Sequence, residues 1–126
     1  MNKCVYDLLS SIKNGQLSKK RFVIHKKTTI SEKVLNIMWN EGFIYGYSSL
    51  NKKSLKIMLK YTEAGPAIRS IKIISRPGLR LRLKINQIWK IKFYQGILLF
   101  STDKGVLTIQ ECKKFNVGGE PFAILK

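Results

Sequence analysis

Five consecutive residues, Ser101-Thr102-Asp103-Lys104-Gly105, set two hydroxyls, a carboxylate, an ammonium and a glycine between the apolar runs Ile97 to Phe100 and Val106 to Leu107. Such a stretch predicts a tight turn between buried strands, with its hydrogen-bonding groups facing solvent. The chemistry open to it is recognition. A-form RNA displays its ribose hydroxyls in a wide, shallow groove, which short side chains such as Ser101 and Thr102 can reach. Gly105 admits close backbone approach, and Lys104 can meet a phosphate as a point charge. Glu120, after Gly118-Gly119, can accept hydrogen bonds from base amino groups or ribose hydroxyls. Competing assignments are a plain hairpin turn for 101–105 and an ion pair with a neighbouring arginine for Glu120.

Cations surround this candidate site in sequence. Arg76, Arg80, Arg82 and Lys84 form a strip suited to phosphate contacts, which position a protein without reading sequence. Lys19, Lys20, Arg21, Lys26 and Lys27 flank a short apolar segment and could reach a second RNA segment. Asn14 and Gln16 are further candidates, with helix capping as their alternative role. For the charged groups the alternative is simple solvation. The 126-residue chain carries 24 Lys and Arg against 7 acidic residues, a formal charge of +17. The excess runs along the whole chain, so the folded body repels itself unless a polyanion neutralises it, and nucleic acid does so with counterion release.

Other classes of function find little support. His25 is the single histidine, no serine or cysteine sits in a nucleophile setting, and neither GxGxxG nor a P-loop lysine is present. Cys4 and Cys112 with one histidine make no spaced ligand set, so no metal, cofactor or small-molecule substrate is expected. No apolar run approaches the roughly 18 residues of a membrane span. The two cysteines read as small buried apolar side chains in a reducing compartment.

The elements that must hold the site follow from periodicity. Val5, Leu8, Leu9 and Ile12 predict an amphipathic helix stopped by Asn14-Gly15, and Arg21 to His25 a short strand. Ser31 is expected to cap a second helix bearing Val34, Leu35 and Met38 and ending at Gly42. Phe43 to Tyr47 should be extended, and Leu55, Ile57, Leu59 and Tyr61 alternate with Lys56, Met58 and Lys60 as a half-buried strand. Thr62 to Pro66 predicts a boundary between subdomains 1–62 and 67–126. Beyond it, Ile71 and Ile73 and the alternation Leu79, Leu81, Leu83, Ile85 predict strands around a Pro77-Gly78 turn. Thr108 to Glu111 has capping-box spacing for a helix towards Phe115, and Glu120 to Leu125 should be the last strand. Trp39 and Trp89 are expected as core or interface anchors. The fold class is therefore α+β: two helices on a small sheet, then a mostly β half with one short helix.

With these residues in order, the chain resembles the small-subunit ribosomal protein S8 family over essentially its whole length. The likeness rests on Ser75-Arg76-Pro77-Gly78-Leu79-Arg80, Gly96, Ser101 to Thr108 and Gly118-Gly119-Glu120, preceded by Asp7-Leu8, Asn14-Gly15-Gln16 and Glu41-Gly42-Phe43-Ile44. The resemblance implies a non-catalytic protein that binds the central domain of small-subunit rRNA during assembly, beside neighbouring small-subunit proteins. It also implies that the carboxyl-terminal half supplies most of the contact, through Ser101, Thr102, Lys104, Gly105 and Glu120. Asp103 departs from the family pattern and is expected to point away from RNA or to pair with Lys104. Arg82 stands where many relatives carry an aromatic residue, and Phe100 and Cys112 read as bulkier core variants.

The alternatives are a free-standing RNA-binding or chaperone module and an RNA-processing enzyme without a visible motif. Composition suggests location: 16 Ile and 19 Lys against 5 Arg fit an AT-rich gene. With an opening helix close to Met1, this predicts an organelle-encoded protein of the mitochondrial ribosome, a plastid or bacterial ribosome being the alternative.

Overall fold

The computed structural model describes residues 3–74, 82–91 and 96–126. Helices and antiparallel sheets share the chain, as the α+β expectation requires. They group into two compact units, Asn2–Arg69 and Ser70–Lys126.

In the first unit, α1 (Lys3–Leu17), β1 (Phe22–Lys26), α2 (Thr29–Asn40), β2 (Ile44–Ser49) and β3 (Ser54–Leu59) precede a two-residue hairpin, β4 (Tyr61–Thr62) and β5 (Gly65–Pro66). The main sheet has the order β1-β3-β2, antiparallel throughout. Val5, Leu8, Leu9 and Ile12 of α1, Val34, Leu35 and Met38 of α2, and Leu55, Ile57 and Leu59 of β3 are buried, as their spacing predicts. Burying each such side chain is worth about 1.5–3 kcal/mol.

Two helix boundaries differ from expectation. Asn14-Gly15 does not stop α1, which continues through Leu17. Gly15 is required by packing instead: a Cβ there would lie 2.5 Å from Val23 Cγ1 and 3.1 Å from Leu59 Cδ1. The helix ends at Lys19, in the left-handed conformation, where Lys19 N–H donates to Gln16 O and Lys20 N–H to Gly15 O. The cap of α2 is Thr28, not Ser31. Thr28 Oγ1 accepts from Ser31 N–H at 3.1 Å and donates to Ser31 Oγ at 2.7 Å, so Ser31 is the third helical residue and is buried.

The second unit comprises β6 (Ile71–Ile73), α3 (Ile85–Trp89), β7 (Ile97–Thr102), β8 (Gly105–Thr108), α4 (Ile109–Phe115) and β9 (Glu120–Leu125). Its antiparallel sheet runs β6-β9-β7-β8. Leu98, Phe100 and Leu107 pack with Ile88 of α3 and with Ile109 and Cys112 of α4. Burial, aided by the Glu111 carboxylate, pushes the Cys112 thiol up to about 11, which keeps it protonated and apolar. The capping box forms as expected: Thr108 Oγ1 accepts from Glu111 N–H at 3.2 Å and Glu111 Oε1 from Thr108 N–H at 3.3 Å.

Only part of the strand expected over Leu79 to Ile85 can be compared, since 79–81 lie outside the described residues. Leu83 forms a β-bridge with Gly119, but Ile85 begins α3. The Gln87 side chain accepts from Lys84 N–H at 2.8 Å, starting a helix whose Ile88 is fully buried. A helical anchor overrides the period-two pattern there.

Candidate nucleic-acid interface

The turn at 101–105 is the loop of the β7–β8 hairpin. Thr102 pairs with Gly105 and Ser101 with Val106, leaving Asp103 and Lys104 at the exposed tip. Thr102 builds the turn: its Oγ1 donates to Gly105 O at 2.8 Å and accepts from Lys104 N–H at 3.1 Å. One lone pair remains for a ligand donor. The Ser101 hydroxyl makes no hydrogen bond to a described residue.

On the other side of β7 the register sets Glu120 directly opposite Ser101, so hydroxyl and carboxylate share one sheet face, the face opposite Phe100. The paired glycines permit this closeness. A Cβ on Gly119 would lie 2.7 Å from Ser101 O, and one on Gly118 would collide with Leu83 O. Gly119 also exchanges backbone hydrogen bonds with Leu83, at 2.8 and 3.0 Å. Ser101, Thr102, Lys104, Gly105 and Glu120 are thus gathered at one end of one sheet. Among the described residues, Glu120 has no ion-pair partner.

Asp103 does not pair with Lys104. Its carboxylate meets the Arg82 guanidinium at 3.3 Å, both groups being exposed. Exposed pairs of this kind contribute about 0–1 kcal/mol, so Arg82 is tethered beside the turn yet can be drawn off by a phosphate. Lys84 is also exposed; Arg76 and Arg80 lie outside the described residues.

Exposed aromatic rings of the second unit carry lysine partners. Lys104 Nζ lies 5.2 Å and Lys114 Nζ 5.7 Å from the centroid of exposed Phe115, and Lys113 Nζ lies 5.3 Å from that of Trp89. Trp89 is 58% and Trp39 49% exposed, so neither is a core residue. Only the Phe115–Lys114 adjacency was visible in one dimension; the Trp89–Lys113 pair forms where α3 packs on α4, and the Lys104–Phe115 pair where the hairpin tip meets the end of α4.

In the first unit, Asn14 and Lys26 are exposed, whereas the Lys27 ammonium donates to Ser49 Oγ at 3.1 Å. Gln16 is buried, which removes it from the RNA-contact candidates, and α1 passes through Asn14 so neither residue caps it. Cys4 is half-buried rather than core: its Sγ lies 3.5 Å from His25 Nε2, 3.6 Å from Thr28 Oγ1 and 3.4 Å from Ser31 Oγ. Burial lowers the His25 pKa, against opposing pulls from the Asp7 carboxylate and a hydrogen bond to the Cys4 backbone. Among the described residues no group of three His, Cys, Asp or Glu could hold a metal, and no helix is long and apolar enough to cross a membrane.

A strongly basic α+β chain thus collects hydroxyls, a lysine and close-approach glycines at one sheet end, the kind of surface a small basic binding protein offers a polyanion. Comparison with known proteins makes the assignment definite. Residues 3–125 match the family described as Ribosomal protein S8, and the chain belongs to that family. Similar proteins include a "Small ribosomal subunit protein uS8" of Blochmanniella pennsylvanica, 37% identical over 123 residues, covering 95% of this chain and 94% of that one. The protein of the same description from Stutzerimonas stutzeri is 39% identical over 116 residues, covering 90% and 89%. That of a Ruegeria species is 36% identical over 124 residues, covering 95% of each.

Proposed function

We propose that this chain is a structural, non-catalytic constituent of the small ribosomal subunit and that it grips a helix of the central domain of small-subunit rRNA. The supporting observation is the convergence of Ser101, Thr102, Lys104, Gly105 and Glu120 at the β7–β8–β9 sheet end, on a turn already stiffened by its own hydrogen bonds. Ser101 and Glu120 are the direct readers of ribose or base edges. Thr102 sets the backbone, and Lys104 with Arg82, Lys84, Arg76 and Arg80 supplies phosphate attraction. In the first unit, Asn14, Lys26 and Lys27 extend the contact to a second rRNA segment. Because the contact site is rigid, the protein stabilises one rRNA geometry during assembly, beside neighbouring small-subunit proteins. The two compact units, Asn2–Arg69 and Ser70–Lys126, divide this work. A mitochondrial ribosome is the proposed location, with a plastid or bacterial ribosome as the alternative; the lysine- and isoleucine-rich composition fits an AT-rich gene in any of the three.

The test is binding of the purified chain to a labelled helix from the central rRNA domain, with salt and competitor RNA varied. Preference for that helix, surviving excess unrelated RNA, supports the reading. Equal affinity for all RNAs with a purely salt-governed loss indicates a free-standing module instead, and substrate turnover an enzyme.

A further inference from the structure

The outward face of the β1-β3-β2 sheet carries an arrangement that the turn does not use. Val23, Leu55 and Ile57 point into the core, so strand alternation directs Phe22, Ile24 and Met58 outward. Tyr45 joins them through a β-bulge: the register steps from Ile44 opposite Leu59 to Gly46 opposite Met58, and Tyr45 is the extra residue between. Phe22 is 43% and Tyr45 61% exposed. Phe22, Met58 and Gly46 lie in one row across the three strands. The two rings therefore flank the central strand, on the order of 10 Å apart.

That central strand serves both rings with a cation. Lys56 Nζ sits 4.4 Å from the Phe22 centroid, and Lys60 Nζ, just beyond β3, 5.7 Å from that of Tyr45. Lys26 is exposed at the end of β1, and none of the three strands contains an acidic residue. Exposed rings offer a flat apolar surface, and the ammoniums beside them call for an anion within a few ångströms of whatever covers it. A nucleotide supplies both, as a base with a π-face and a phosphate. Paired RNA keeps its bases stacked on one another, so only an unpaired strand can present them to the rings.

We propose that this sheet face binds an unpaired RNA strand, its bases stacked on Phe22 and Tyr45 and its phosphates held by Lys56 and Lys60. The inference shares with the proposed function the premise that the partner is RNA, but it uses none of the residues of the turn.

The experiment compares the full chain with a Phe22→Ala/Tyr45→Ala variant, in which net charge is unchanged, by fluorescence anisotropy. The probes are an unstructured 12-nucleotide RNA and the central-domain helix. The variant is expected to lose about tenfold or more in affinity for the single strand, with an unaltered salt slope and unaltered helix binding. Phe22→Tyr/Tyr45→Phe should restore single-strand binding. Lys56→Gln/Lys60→Gln, which keeps the rings, should flatten the dependence of log affinity on log salt by about 1.4 for the single strand. Single-strand affinity unchanged in the alanine variant overturns the proposal, as does an equal loss for both RNAs or an unchanged slope in the glutamine variant. Ring-dependent capture of anionic lipid vesicles without any ring effect on RNA overturns it in favour of a membrane. Loss of helix binding alone, on Ser101→Ala, leaves this proposal standing and bears only on the turn.

Discussion

Gly119→Ala probes how the candidate site is held together. Gly119 needs no unusual backbone angle, so the cost of a methyl group there is one of space. It would sit 2.7 Å from Ser101 O and 2.7 Å from Thr102 Cγ2. The threonine methyl can swing aside, but the carbonyl is fixed within the sheet by its neighbours. The start of β9 must therefore move away from β7, straining the two Gly119–Leu83 hydrogen bonds at 2.8 and 3.0 Å and shifting Glu120 off Ser101. Overpacking of this kind costs about 1–3 kcal/mol. Weakening two backbone bonds adds about 1 kcal/mol, giving roughly 2–4 kcal/mol in all. Urea unfolding followed by circular dichroism reads the stability, and anisotropy with the rRNA helix reads the site. Both should fall, with affinity loss persisting at temperatures where the variant is fully folded. A stability change below about 0.5 kcal/mol with full affinity would show that the tight β7–β9 approach does not position the site.

Further substitutions separate holding from reading. Thr102→Val removes two turn hydrogen bonds and should cost about 1–2 kcal/mol in urea unfolding, whereas Ser101→Ala should leave stability within about 0.5 kcal/mol and weaken helix binding. Thr108→Ala opens the capping box and should destabilise the chain by about 1–2 kcal/mol, with α4 amides losing protection in hydrogen exchange. Because burial places the folded His25 pKa below 6.5, the unfolded chain takes up that proton first as pH falls. Its contribution is intact above 6.5 and is lost as pH drops from 6.5 through the folded value, so His25→Asn should flatten the urea midpoint between pH 7 and 5. Cys112, with its thiol at about 11, should resist alkylation at pH 8 in the native chain and react on unfolding.

The parts legible in the sequence were those written locally. The period-two run through Leu55 to Leu59, the helical spacing of Val34, Leu35 and Met38, and the Thr108–Glu111 box each encode their element within a few residues. What was not legible depends on partners distant in the chain. Gly15 reads as a helix stop until Val23 and Leu59 are seen pressed against it. The period-two pattern through Ile85 yields to α3 because Ile88 finds the core beneath α4. Asp103 finds Arg82, 21 residues away, in preference to its neighbour Lys104. At the candidate site, residue types identified Ser101, Thr102, Lys104 and Gly105, but the placement of Glu120 opposite Ser101 needed the β7–β9 register. Trp89, expected as a core or interface anchor, acquires Lys113 from the packing of α3 on α4, and Phe115 acquires Lys104 from the hairpin tip.

The central claim is that the 101–105 turn touches RNA. A cryo-electron microscopy map of the small subunit containing this chain tests it most directly. The account predicts Ser101, Lys104 and Glu120 within hydrogen-bonding distance of ribose, phosphate or base edges of one rRNA helix. A turn facing solvent or another protein, with no nucleotide near it, would contradict the account.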